Sequence, residues 1–109
     1  MAKMKINATA RFVTRHRKRD SVKTYVLEVF VPGCNKEIAD TIVNALKGQE
    51  WELMRATNFA DPIPSLTFAD NLTNEVGDWE TAAEQKDGMR RAKLALKQLG
   101  IKGAILVRS

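Results

Sequence analysis

Along the start of the chain, Ile6, Ala8, Ala10 and Phe12 alternate with Asn7, Thr9 and Arg11. This is the two-residue period of a strand with one buried face, and it predicts a first strand over 5–13. The period returns over 22–31, where Tyr25, Leu27, Val29 and Val31 share one face and Thr24, Val26, Glu28 and Phe30 the other. Its β-branched and aromatic content reinforces a second strand. Two such strands close in sequence predict an antiparallel hairpin. Matching their apolar faces sets Phe12 opposite Tyr25 and Ala10 opposite Leu27, with 15–22 as the connecting tip.

Pro32-Gly33 ends the second strand, since proline donates nothing to a ladder and glycine permits the turn. The period then changes. Ile38, Ala39, Ile42, Val43 and Leu46 recur at three- and four-residue spacing, predicting a helix over 36–47 capped by Asn35 and closed near Gly48. Trp51, Leu53 and Met54 open a third strand to about Asn58. The turn-rich segment 59–77 predicts a long acidic loop in which Ser65–Ala69 form a short edge strand. A second helix follows, capped by Asp78 or one turn later by a Thr81-to-Glu84 box, with Met89, Ala92, Leu96 and Leu99 as its seam. Gly88 weakens it by about 1 kcal/mol relative to alanine, which leaves room for a kink or a split into two helices near there. Gly100 closes the helix, and the apolar run of Ile101–Arg108 suits an interior final strand.

The order β-β-α-β-(β)-α-β implies an α+β fold: a single small domain over 1–109, with a mainly antiparallel or mixed sheet of four to five strands and two helices packed on one face. Composition adds that the chain is globular. With 44% hydrophobic and 28% charged residues it fits neither disorder nor a membrane protein, and its 109 residues suffice for one core. The single cysteine, Cys34, forms no internal disulfide and fits a reducing compartment, so a cytoplasmic location is expected.

Charge changes the picture more. Residues 1–24 hold eight Lys or Arg and one acid, 25–84 three and eleven, and 85–109 seven and one, giving +5 overall. Cationic ends on one small domain repel unless an anionic partner neutralises them, which points to nucleic acid. The tip supplies Arg15, His16, Arg17, Lys18 and Arg19; alternation in an extended ribbon sets the three arginines to one side, and guanidinium forks suit phosphate. A run this short is also what a solvated turn looks like. The second helix supplies Lys86, Arg90, Lys93 and Lys97, which at 100° per residue fall within an arc of about 60°. Ordinary amphipathicity would mix acids in at four-residue spacing, and only Asp87 is present. Cations late in a helix also suit its dipole, which discounts the signal.

Little else in the chain carries chemistry. Tyr25 and Trp51 are expected in the core, while Phe30 and Trp79 are open to other roles, and no aromatic-rich RNA-binding consensus is present. His16 is the only histidine and lacks a second acid or base, so catalysis, including His16-dependent nuclease action, is disfavoured. Cys34 precedes a helix but is read as a small buried residue rather than a nucleophile. Asp61, Asp70, Glu75 and Asp78 match no metal-binding pattern, and no cofactor is implied. The expected function is sequence-nonspecific nucleic-acid binding through phosphates. The competing expectation is a regulatory or inhibitory module that docks its basic face on an acidic protein, or on the acidic loop of a second copy.

Overall fold

The computed structural model describes residues 6–16, 23–72 and 82–108. Its elements are β1 (Thr9–His16), β2 (Lys23–Phe30), α1 (Lys36–Lys47), β3 (Trp51–Ala56), β4 (Ser65–Asp70), α2 (Ala82–Gln98) and β5 (Lys102–Arg108). The strands form one sheet in the order β3-β4-β2-β1-β5. β1, β2, β4 and β3 pair antiparallel with their neighbours, and β5 joins β1 in parallel. The α+β architecture expected from the periodicity is the one observed.

Both helices pack on one face of this sheet. Ala10 and Phe12 of β1, Leu27 and Val29 of β2, Leu66 and Phe68 of β4 and Trp51 of β3 meet Ala39, Ile42 and Leu46 of α1 and Ala92, Ala95, Leu96 and Leu99 of α2 in one core. α1 has the predicted limits. The Asn35 Oδ1 accepts from the Ile38 N–H at 2.9 Å, satisfying a first-turn donor that the helix itself leaves open. Beyond α1, Gly48 remains right-handed and the turn places its positive φ, 64°, on Glu50.

Four expectations need correction. The hairpin register is two residues longer than the apolar match suggested: Phe12 faces Leu27 and Thr14 faces Tyr25, and pairing continues to Arg15 with Thr24 and His16 with Lys23. A shift of two keeps every side chain on its face, and it adds ladder bonds while shortening the connection. Arg15 and His16 are therefore strand residues, not part of the tip. β4 lies between β2 and β3 rather than at the edge, with Leu66, Thr67, Phe68, Ala69 and Asp70 all buried, and it interrupts the supposed loop 59–77. β3, which ends at Ala56, is the edge instead, exposed from Glu52 onward.

β5 is likewise an edge strand: β4 occupies the second side of β2, and β5 pairs with the other side of β1. Finally, α2 runs unbroken through Gly88. The glycine is buried, and its carbonyl accepts a 3.0 Å hydrogen bond from Trp51 Nε1, so tertiary contact outweighs the weak local propensity.

Candidate nucleic-acid interface

Three contacts fix α2 over the sheet. Trp51, fully buried and 5.9 Å from the Phe12 ring, reaches Gly88. One turn on, Arg91 donates from Nη2 to Asp70 Oδ2 at 2.6 Å, from Nε to Asp87 Oδ2 at 2.9 Å and from Nη1 to the Gln49 carbonyl at 2.8 Å. At the far end, the Leu99 carbonyl accepts from the Ile6 N–H at 2.9 Å, just ahead of β1. Trp51 pairs with Asp70, two positions along β4 from the Phe68 that faces Leu27. Residues 88–91 therefore lie over the half of the sheet where β1 approaches His16. The amino-terminal half of α2 and the His16–Lys23 end of the β1–β2 hairpin share one end of the molecule.

Arg91, outside the cationic stripe, is buried. Its burial, the strongest influence, favours the neutral form, but the hydrogen bonds it donates to Asp70 and Asp87 more than compensate and hold the guanidinium pKa above its ordinary value. Asp87 serves two partners, Arg91 and also Arg90 at 2.8 Å. Those two hydrogen bonds, the one from Arg90 foremost, push its carboxyl below the usual aspartate value. The one acid of the segment is therefore committed to holding the helix in place.

The predicted stripe does assemble. Lys86, Arg90, Lys93 and Lys97 line a single open cleft of about 450 Å³ together with Met89 and Leu94, and a smaller depression continues it past Lys86, Asp87 and Arg90. At a rise of about 1.5 Å per residue the four cations span roughly 16 Å. Among the described residues Lys86, Lys93 and Lys97 have no ion-pair partner. Of the apolar lining, the Met89 seam beside the stripe was expected and Leu94, 42% exposed, was missed; Met89 and Leu94 flank the stripe. On a helical wheel they sit on either side of the cationic arc, a signal that was present in the sequence.

Of the hairpin candidates, Arg15 and His16 are described through their backbone as the last two positions of β1. Arg17, Lys18 and Arg19 lie outside the described residues, as do Trp79, Asp78 and Thr81. Phe30, left open by the sequence, is covered by Arg11, whose guanidinium carbon stands 5.1 Å from the ring centre and which also pairs with Glu28 at 3.2 Å. Cys34 is buried, and burial raises its thiol pKa against a smaller opposing contribution from the Ala39 backbone N–H. Its surroundings are those of a packing residue.

Among the described residues no group of His, Cys, Asp or Glu is placed to hold a metal ion, and no helix is long and apolar enough to cross a membrane. No protein-family model, curated protein or solved structure matches the chain.

Proposed function

We propose that this chain is a small, non-enzymatic nucleic-acid-binding protein acting in the cytoplasm. It contacts phosphates through the cationic stripe of α2 and the basic end of the β1–β2 hairpin. The observation that carries this reading is the stripe: among the described residues three lysines without ion-pair partners stand on one cleft with Arg90, and the one acid beside them, Asp87, is shared between Arg90 and the buried Arg91. Its Lys86–Arg90 end lies toward the hairpin end of the sheet, which supports a path for a polyanion running along α2 from Lys97 to Lys86 and on toward the hairpin. Binding of this kind releases counterions, so affinity falls with salt by a log–log slope of about 0.7 to 0.9 per phosphate contacted.

The deciding experiment is fluorescence anisotropy with labelled single- and double-stranded DNA and RNA at two salt concentrations. Salt-sensitive binding of any of the four supports the proposal, and no binding at low salt ends it.

The exposed Leu94 beside Met89 favours one second reading, an acidic amphipathic protein segment in the same cleft. Reversing Arg15, Arg17 and Arg19 to glutamate separates the two. Nucleic-acid retention is lost under the first reading, whereas under the second it is negligible from the start and a protein pull-down changes instead.

A further inference from the structure

β3 is an edge strand exposed from Glu52 to Ala56, with one charged residue on either side of two apolar ones. Glu52, Leu53, Met54 and Arg55 are all exposed, Leu53 by 40% and Met54 by 55%. Apolar side chains of this size are seldom left on a sheet edge, where unpaired N–H and C=O groups already invite another strand.

The geometry at Met54 matters here. Glu52 pairs with Ala69 and Leu53 with Phe68, but Arg55 pairs with Thr67, so Met54 is an extra residue in β3. In a regular strand, positions 52 and 55 would lie on opposite faces. The extra residue resets the alternation, so that Glu52 and Arg55 share the face of Thr67 and Ala69, away from the helices. One acid and one base now stand on the same face, on either side of a Leu-Met centre.

We infer that two copies of the chain join by antiparallel pairing of their β3 edges across a two-fold axis between Leu53 and Met54. In that register Glu52 of each copy faces Arg55 of the other, giving two opposite-charge cross-strand pairs, while the exposed Leu53 and Met54 side chains cover one another at the axis. A shift of one residue puts side chains on the wrong faces, and a shift of two separates the charges, so the pattern selects one register. β3 is also well placed for self-association. It lies at the opposite edge from β5, inside the segment 25–84 with its excess of acids.

The test is the oligomeric state of the intact chain by sedimentation velocity, from micromolar to near-millimolar concentration, with circular dichroism to establish folding of each variant. The wild type is expected to dimerise. Glu52→Arg and Arg55→Glu each replace two attractions by two repulsions and should weaken the dimer roughly tenfold or more. The combination Glu52→Arg/Arg55→Glu restores both pairs and should recover most of the loss.

Met54→Glu, which brings like charges together at the axis, should give a monomer, whereas Lys93→Glu/Lys97→Glu on α2 should leave the dimer intact. A wild type that stays monomeric throughout overturns the proposal. So does a dimer indifferent to the single reversals, one not recovered by the double reversal, or one dissolved by the α2 changes.

Discussion

Arg91 Nη2 and Asp70 Oδ2 meet at 2.6 Å with their side chains only 9% and 1% exposed, tying the middle of α2 to the end of the interior strand β4. Removing one member of such a pair leaves a buried charge without its counterpart, which costs far more than the pair contributes. Arg91→Met is therefore expected to destabilise the fold by about 3 kcal/mol or more, with Arg91→Met/Asp70→Asn losing less than the single change. Urea denaturation of the two variants and the Asp70→Asn single closes the cycle.

Asp87 gives this joint a pH dependence. Its folded pKa lies below its unfolded one because Arg90 and Arg91 hydrogen-bond to the carboxylate. The associated stability is complete above the unfolded value, about 3.9, and is lost as pH falls through the folded value. The urea midpoint should therefore fall on acidification below about pH 4, and Asp87→Asn should make that part of the profile shallower.

Trp51 fills the space between β3 and α2 and spends its only polar group on the Gly88 carbonyl. Trp51→Phe keeps an aromatic ring but gives up ring volume and this hydrogen bond, for an expected loss of about 1–3 kcal/mol. The substitution itself changes the indole signal by removing one of the two tryptophans, so far-UV dichroism against temperature is the measurement.

Glu50 is held at φ 64°, and its carbonyl accepts from the Asn71 N–H at 2.8 Å, so the turn cannot relax without breaking a link to the end of β4. The side chain itself is exposed. Glu50→Gly removes the steric penalty of the left-handed region and should raise stability by about 0.5–1 kcal/mol, whereas Glu50→Val should lower it. A thermal melt of both variants reads the sign directly.

The α2 stripe predicts a quantitative salt effect. Lys93→Ala should weaken binding to every nucleic acid sequence alike and reduce the log–log salt slope by about one, and Lys97→Ala the same. Lys36→Ala on α1, outside the cleft, should change neither. Anisotropy titrations across a salt series check all three.

Much of this could be read from local pattern, and the misses share a cause. The limits of α1 followed from Asn35, an apolar stripe and a glycine, all of them signals within a few residues of the helix. The α2 stripe followed from helical spacing alone. Alternation, by contrast, repeats every two residues, so it could not choose between Phe12 facing Tyr25 and Phe12 facing Leu27. Strand order depends on which edges are still open when each strand arrives, and neither Ser65–Asp70 nor Lys102–Arg108 carries that information within itself. Arg91 was given no role in the sequence reading and entered only the charge total of 85–109. Its position, three residues after Gly88 and four before Ala95 on the buried face, was the available sign that it belonged inside.

The parallel ladder between β1 and β5 has a consequence for the order of assembly. It joins Ala10 to Ala104 and Phe12 to Leu106, spanning a loop of roughly ninety residues whose closure entropy must be met before the pairing gives any return. A growing chain that has emerged only as far as α2 already holds the four antiparallel strands, yet one side of β1 is still bare. During synthesis that bare side is a vulnerable moment, when a neighbouring nascent chain competes for the place β5 will take.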